Sequence, residues 1–389
     1  MIIAVDGYEA NVRERVGIGR YAYEILKHLF EEVKSQKSKV KSLGELLLRI
    51  YLPSSPLPDM PKETTWWQYR VARPTRFWTF IGLPLALTLD RPRPDIIFSP
   101  THYAPRFVAI PRIIAIMDTS YLHFPEMFRA RDLHQLVHGT AYSVRQAARI
   151  LTISQASKDA IIAAYGVPPD RVVVTYPGIT MKQIQNSKLK VKSVKKKYKL
   201  PENYILSVGT IQPRKNYVRL IEAFARSLKL LSSQYPDISL VIVGKPGWLY
   251  EEILTAPQRL GVAKRVKFLN FVPERDLPHL YQGALVFALP SLYEGFGLPV
   301  LEAMASHCPV VVSRVSSLPE IAGRAAIYVN PEEVSSIADG LIQAIKEHGT
   351  KAESDRIAKG LARTRKFSWE NAAKKTLAVF EKVAKERKV

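Results

Sequence analysis

Cysteine is almost absent from this chain of 389 residues, since Cys308 is the only one. A single cysteine excludes an intramolecular disulfide, and this usage fits a reducing compartment such as the cytoplasm. The thiol lies in the apolar stretch 307–312, which we interpret as the entry to a strand. We therefore expect a buried, inert thiol and no cysteine nucleophile.

Long hydrophobic runs are also missing. The most prominent uncharged apolar run, residues 77–89, contains Gly82 and Pro84 and is too short to cross a bilayer. The N-terminal stretch 1–6 lacks the basic flank of a signal peptide and predicts a first buried strand. We therefore expect a protein that is soluble or peripheral at a membrane.

Several catalytic and binding motifs are absent. The chain has no Asp-x-Asp, and its most suggestive histidine pair, His134 and His138, lacks the glutamate of a His-Glu-x-x-His site and predicts a helix surface. There is no Gly-x-Ser-x-Gly elbow, no zinc-finger spacing and no RNP-type strand. The sequence therefore predicts no metal site and no nucleic-acid partner.

Acidic residues are scarce relative to basic ones: 57 Lys and Arg face 35 Asp and Glu, for a net charge of +22. Such an excess indicates an anionic partner, either an anionic membrane surface or a phosphorylated small molecule, although charge also keeps a surface solvated. Residues 178–200 hold eight lysines and no acidic residue, which predicts a linker with a solvated helix. A membrane-facing basic patch is the alternative interpretation.

What the sequence does contain is a repeated strand–helix rhythm. Short apolar runs such as 2–5 and 286–289 alternate with helical patterns, and the rhythm restarts after residue 200. Runs that are apolar at every position predict strands covered on both faces. We therefore predict an α/β fold with two doubly wound sheets, whose ligands bind beyond the carboxyl ends of the strands.

The strongest motif runs from Pro290 to Ala305. A strand ends in a glycine-bearing loop with Gly295 and Gly297, and a helix follows with Pro299 in its first turn. Its N-terminus predicts an anion site suited to a diphosphate, and the carboxylates of Glu294 and Glu302 suit sugar and ribose hydroxyls. A turn before an amphipathic helix is the structural alternative.

Three further motifs lie between a strand and a helix. Arg214 and Lys215 suit the neutralisation of phosphate charge, although a basic turn that caps a helix would by itself explain both residues. Gly17 and Gly19 form a Gly-x-Gly that is weak as a phosphate signal by itself. Asp118 follows a strand and faces either a ligand or solvent.

Together these motifs resemble the large family of retaining glycosyltransferases with the GT-B fold, often called family 4 or group 1. The Glu-x7-Glu motif, the Pro-Arg-Lys-Asn turn, the Gly-Ile-Gly-Arg-Tyr loop and the Thr152–Ser154 strand end occur in the family's order. The turn, taken with Glu-Gly-Phe-Gly-Leu-Pro, resembles branches that include mannosyltransferases. The segment 367–369 looks like the start of the family's last helix, which crosses back to the N-terminal domain.

The resemblance implies two Rossmann-like domains that face a cleft. Residues 1–180 would form the acceptor-side domain, joined by the helix 367–389. Residues 181–200 would be a basic linker, and residues 201–366 the donor domain. Implied partners are a nucleotide-sugar and a glycan or lipid-linked acceptor, with no cofactor and no metal. The protein would be cytoplasmic, with an anionic membrane surface on the inner face as a further partner.

The resemblance also implies roles for individual residues. Arg214 and Lys215 would bind the donor diphosphate, Glu294 the sugar hydroxyls and Glu302 the ribose. The remaining predicted donor contacts are Gly17, Gly19, Val272, Phe296, Gly297 and Leu298. The catalytic set is Glu294, Asp118, Arg214 and Lys215.

Two positions depart from the family's pattern. Thr210 replaces an arginine, whose charge Arg214 would supply, and Met117 replaces a histidine, for which Asp118 or His123 would compensate. GDP-mannose is the first donor hypothesis and UDP-glucose the second. A catalytically weak, membrane-associated binding protein remains a competing interpretation, with Trp66, Trp67 and residues 77–89 among its working parts. A sugar phosphorylase or sugar-phosphate synthase of the same fold is a further alternative.

Overall fold

A computed structural model describes residues 1–39, 46–179 and 188–387. The contacts divide these residues into two compact units, each described by itself below. The first unit comprises Met1–His123, Ala130–Gly178 and the chain from Ser368 onward, and the second comprises Phe124–Arg129 and Ile179–Phe367.

The first unit is built on a sheet of seven strands, all paired in parallel, in the order β3-β2-β1-β4-β5-β6-β7. Its central strands are buried at nearly every position, as parallel strands covered on both faces require. The strands are β1 Ile2–Asp6, β2 Leu47–Leu52, β3 Trp67–Val71, β4 Ile96–Ser99, β5 Arg112–Ile116, β6 Ala147–Thr152 and β7 Val172–Val174.

Helices follow most of these strands and supply the crossovers. A π-helical turn, Trp78–Gly82, leads directly into α2. The helices are α1 Ile18–Lys39, α2 Leu83–Leu89, α3 Ser120–His123, α4 Ala130–Gln146 and α5 Gln155–Tyr165.

The second unit repeats this plan with six parallel strands in the order β10-β9-β8-β11-β12-β13. The strands are β8 Tyr204–Val208, β9 Ser239–Val243, β10 Val266–Leu269, β11 Val286–Leu289, β12 Val310–Ser313 and β13 Ile327–Val329. The helices are α6 Lys188–Lys197, α7 Tyr217–Gln234, α8 Glu251–Arg259, α9 Leu277–Gly283, α10 Leu298–Ala305, α11 Leu318–Ala322, α12 Val334–Glu347 and α13 Lys351–Thr364. Two parallel sheets in one chain confirm the predicted α/β class.

The last helix, α14 (Trp369–Glu386), returns to the first unit, as predicted. The Ser368 hydroxyl caps it by accepting the backbone N–H of Asn371 at 3.2 Å. Trp369 is buried, and its ring centroid lies 6.0 Å from that of Tyr21 on α1. A Cβ at Gly178 would lie only 2.2 Å from the backbone nitrogen of Trp369, so the chain can pass this close only with glycine there.

The basic segment lies partly outside the described residues, which omit 180–187. Its described remainder forms α6, which packs against α9 in the second unit and contains the buried Val194. Lys197 at its end pairs with Asp276 at 2.5 Å. One face of this helix is therefore packed, whereas the composition predicted a linker with a solvated helix.

Cys308 is buried, as expected, and burial raises the pKa of its thiol. Within the described ranges, no helix is both long and apolar enough to cross a membrane.

Candidate functional site

The loop after β11 is shaped by its glycines and by buried hydroxyls. Gly297 adopts φ 104° immediately before α10, a conformation that favours glycine, and a Cβ there would meet Leu318 Cδ2 at 2.8 Å. The hydroxyl of Ser317 donates to the carbonyls of Glu294 and Phe296 at 2.8 and 2.9 Å. The loop is thus held rigid up to the first turn of α10, where Pro299 lies as predicted.

Glu294 is buried in this loop and is surrounded by donors. Its Oε1 accepts from Lys215 Nζ at 2.6 Å and from Ser291 Oγ at 2.7 Å, and its Oε2 lies 3.5 Å from Arg214 Nη1. Burial by itself raises the pKa of Glu294, but the two cations and the hydrogen bonds outweigh burial and lower the pKa below its ordinary value. The carboxylate is therefore ionised and fixed in position.

The two cations come from the loop after β8, the strand next to β11. Pro213–Lys215 forms a 3-10 turn that ends at Asn216 in the left-handed region, with φ 61°. The Asn216 amide donates to the carbonyls of Pro290 and Pro331 at 2.9 and 2.7 Å, and Arg214 Nη1 donates to the Tyr293 carbonyl at 2.5 Å. These bonds tie the β8 loop to the β11 loop.

A glycine makes room for the buried lysine. A Cβ at Gly209 would lie 3.0 Å from Lys215 Cε, tighter than ordinary contact. The Lys215 side chain therefore passes close to Gly209, at the end of β8, to reach Glu294. The sequence placed these two residues in separate motifs, and the fold brings them into contact.

Glu302 lies on the second turn of α10 and is half-buried. Its Oε2 accepts the hydroxyl of Tyr281, a buried residue of α9, at 3.0 Å. Glu302 is thus held by a hydrogen bond from α9, whereas Glu294 is held by the two cations of the β8 loop.

The other predicted donor residues of the second unit differ in how far they are buried. Phe296 is buried edge-on against Phe367, with ring centroids 5.6 Å apart, so its side chain belongs to the core. Val272 is buried in the loop after β10, and Leu298 is half-buried at the start of α10.

The remaining predicted residues belong to the first unit. Gly17 has φ 51° with open space around its Cβ position, and a Cβ at Gly19 would lie 3.1 Å from the Glu9 carbonyl oxygen. Asp118 follows β5 and accepts from the backbone N–H and hydroxyl of Ser120, the first residue of α3, at 2.9 and 2.6 Å.

No sequence motif indicated His102, which follows β4 and is buried. Its Nε2 lies 3.2 Å from the backbone nitrogen of Met117 and accepts its N–H. Burial lowers the pKa of the imidazole, and the nearby Asp118 acts in the opposite direction. An imidazole thus contacts position 117 although that residue is methionine. Its place after an apolar strand was the available signal.

Among the residues that the structure describes, no three His, Cys, Asp or Glu side chains are grouped so that they could hold a metal ion. The rings of His134 and His138 lie 4.3 Å apart on the exposed face of α4.

Comparison with known proteins places this geometry in context. The family model described as glycosyl transferases group 1 matches residues 190–361, and that of glycosyltransferase family 4 matches residues 49–183. O-antigen chain mannosyltransferase B of Escherichia coli is 31% identical over 388 residues, 94% of this chain and 96% of that protein. O-antigen chain mannosyltransferase RfbU of Salmonella typhimurium is 32% identical over 223 residues, 57% of this chain and 58% of that protein.

Among solved structures, Anabaena HepE in complex with UDP-glucose has the same fold. Its TM-score is 0.71 at 19% identity, over 98% of this chain and 99% of that one.

Proposed function

Because the chain belongs to the glycosyl transferases of group 1, and is therefore a glycosyltransferase, we propose that it transfers mannose from GDP-mannose to a glycan or lipid-linked acceptor. The transfer retains the anomeric configuration and uses no metal. The single observation that carries the proposed donor site is the buried cluster of Lys215, Arg214 and Glu294 at the ends of β8 and β11. We assign donor binding to residues 201–366 and acceptor recognition to residues 1–180 with the helix 367–389.

Arg214 and Lys215 neutralise the donor diphosphate. A guanidinium offers a planar fork of donors and an ammonium offers a compact charge, so the pair suits two linked phosphates. Both side chains are largely shielded from water, which strengthens their attraction for an anion. The N-terminus of α10 adds backbone dipoles at the same loop. These groups do the charge neutralisation that a metal ion would otherwise provide.

Glu294 positions the two cations and offers its remaining acceptor capacity to the sugar hydroxyls. Glu302, held by Tyr281, accepts from the ribose hydroxyls. The backbone of Phe296, Gly297 and Leu298 follows the diphosphate and sugar, and the backbone near Val272 contacts the base. Gly17 and Gly19 border the phosphates or the acceptor, and Asp118 supplies the polar contact that Met117 lacks.

The proposed reaction breaks the bond between the anomeric carbon and the diphosphate and forms one between that carbon and the acceptor oxygen. The acceptor proton goes to the departing diphosphate, and the new bond forms on the face that the diphosphate leaves. Positive charge develops on the sugar ring, and negative charge on the phosphate is stabilised by Arg214 and Lys215. The observation that motivates retention is that the site offers cations for the leaving group and no carboxylate free of them in the β8 and β11 loops.

The similarity to mannosyltransferases supports GDP-mannose, and the fold shared with a UDP-glucose complex keeps UDP-glucose as the alternative. Thermal-shift measurements with GDP-mannose, UDP-glucose and ADP-glucose decide between them. We expect the largest stabilisation with GDP-mannose. A larger shift with UDP-glucose would overturn the donor, and no shift with any nucleotide-sugar would overturn the proposed donor site.

Retention is tested separately. The transferred sugar is analysed by NMR directly after a short reaction, and the α-linked donor should give an α-linked product. A β-linked product contradicts the mechanism but leaves the donor assignment intact.

We further propose that the enzyme works in the cytoplasm on the inner face of an anionic membrane. The net charge of +22 supports this placement, as does the chemistry of a lipid-linked acceptor. Binding to vesicles that contain phosphatidylglycerol tests it.

A further inference from the structure

The first unit exposes an unusual amount of apolar surface in one stretch of chain. More than half of the large hydrophobic side chains that are exposed in the described residues lie between Val71 and Phe107. Leu89 is 66% exposed and Phe107 is 85% exposed. A concentration of this kind marks an interaction surface more often than scattered apolar residues do.

The π-helical turn and α2 are apolar on two opposite sides. Trp78, Leu83 and Leu87 face the core, where they pack with residues of β1, β2 and β4. The other side carries exposed residues at every fourth position, which we call the outer stripe: Phe77, Ile81, Leu85 and Leu89. A helix that is apolar on all sides is ordinarily buried, so we expect a binding partner to cover the outer stripe.

The loop after β4 extends this surface. The backbone N–H of Arg106 donates to the carbonyl of Thr79 at 3.3 Å, which joins the loop to the π-helical turn. The guanidinium of Arg106 lies 4.6 Å from the centre of the Phe80 ring. Phe107 and Phe80 therefore belong to the same surface as the outer stripe.

Arginines lie before and after the outer stripe in the chain, and the acidic side chains of the same stretch are hydrogen-bonded. Arg73, Arg76, Arg91 and Arg93 are all exposed. The two acidic residues between 71 and 109 are already engaged: Asp90 accepts from Arg49 and from the Tyr51 hydroxyl, and Asp95 accepts from the backbone N–H of Ile2. The surface thus combines apolar side chains with a positively charged rim.

We propose that the outer stripe, Phe80 and Phe107 dock the protein on an anionic lipid bilayer. The apolar side chains enter the boundary between headgroups and acyl chains, and the arginine rim binds lipid phosphates. A second copy of the chain fits less well, because a two-fold interface would bring the arginine rims together. The proposal rests on the proposed function, whose membrane surface it assigns to particular residues.

This assignment differs from the sequence expectation for the membrane contact. Trp67 is fully buried, and Trp66 stacks on Phe30 with ring centroids 5.0 Å apart, so both tryptophans belong to the packing of α1 and β3. Of the predicted membrane contacts, only the run 77–89 remains.

Flotation of the full chain with vesicles tests the proposal. We expect binding to vesicles of phosphatidylcholine and phosphatidylglycerol and little binding to phosphatidylcholine alone. Ile81→Ser with Leu89→Ser should lower the bound fraction about tenfold. The matched control is Leu230→Ser, a leucine on α7 that is 58% exposed, and it should leave binding unchanged.

A second pair of variants tests the rim. Arg76→Gln with Arg93→Gln should weaken binding about tenfold and flatten its dependence on salt. Arg226→Gln with Arg259→Gln, two exposed arginines of the second unit, removes the same charge and should have little effect.

Three outcomes overturn the proposal: no flotation of the native protein, equal binding of native protein and both surface variants, or a dimer in light scattering that the Ile81 and Leu89 changes dissociate. The thermal shift with GDP-mannose, measured on the same samples, should be the same in all variants. Absence of this thermal shift in the native protein counts against the proposed function, and the flotation result remains valid.

Discussion

The ammonium nitrogen of Lys215 lies 2.6 Å from Oε1 of Glu294, although 79 residues separate the two in the chain. Both side chains are buried, and each comes from the loop at the end of one of two neighbouring parallel strands. A buried pair of this kind is costly to break, because the remaining partner is left as an uncompensated charge.

Glu294→Gln keeps the size of the side chain and removes its charge. Lys215 and Arg214 then lose the carboxylate that holds them, and kcat/KM should fall by roughly 10²- to 10³-fold. Steady-state kinetics with GDP-mannose measures this. Glu332→Gln, an exposed glutamate of the same unit, is the control; full activity of Glu294→Gln would argue against a donor site here.

The same carboxylate predicts a loss of stability in acid. Because its pKa is lowered in the folded protein, its contribution is present above the unfolded pKa and disappears as pH falls through the folded value. Urea unfolding at a series of acidic pH values should therefore show a shallower loss for Glu294→Gln than for the native protein. Parallel curves would contradict the ion pair.

Glu302→Gln tests the ribose contact. The change weakens an acceptor without disturbing the diphosphate clamp, so KM for the donor should rise about tenfold while kcat changes little. Tyr281→Phe removes the phenol that positions Glu302 and should raise KM by a smaller factor. A fall in kcat with unchanged KM would place Glu302 outside the ribose site.

Gly297→Ala tests the geometry before α10. Its φ of 104° is strained for alanine, and the new Cβ would meet Leu318, so we expect a loss of about 1–3 kcal/mol in unfolding free energy and reduced activity. Gly261→Ala is the matched control, since Gly261 has φ 70° and open space around its Cβ position. Equal losses in both would mean that the contact with Leu318 contributes nothing.

Asp6 predicts the opposite dependence on pH from Glu294. Burial raises the pKa of Asp6 from 3.8 to about 6, against the hydrogen bonds from Trp78 and Tyr8. Between these values the folded state holds a proton that the unfolded state has lost, so unfolding free energy falls as pH rises, by about 3 kcal/mol in total.

Asp6→Asn retains an oxygen that can accept from Trp78 Nε1, which lies 2.9 Å from Oδ1 in the native protein. Relative to native protein, the variant should therefore gain stability as pH rises from about 4 to above 6. Chemical denaturation across this range measures the gain, and Asp170→Asn, at an exposed aspartate, should show none.

Much of the fold was predictable because its signals are local. The strand Val286–Leu289 has the bounds that its apolar run predicts, and the last helix begins at Trp369, within the predicted segment 367–369. The residues of the donor site were named from motifs and stay predictions as ligand contacts. Phe296 shows the limit of that reasoning, because its side chain is directed into the core.

The sequence by itself determined the two parallel sheets, the starts of α10 and α14 and the loops at the strand ends, since each depends on residues close together in the chain. Only the tertiary structure decided that Glu294 contacts Lys215 and Arg214, that His102 contacts position 117, and that the outer stripe stays exposed while Trp67 is buried. These contacts join residues far apart in sequence, and their geometry is set by the order of strands in the sheets and by the packing of helices upon them, which local patterns do not encode.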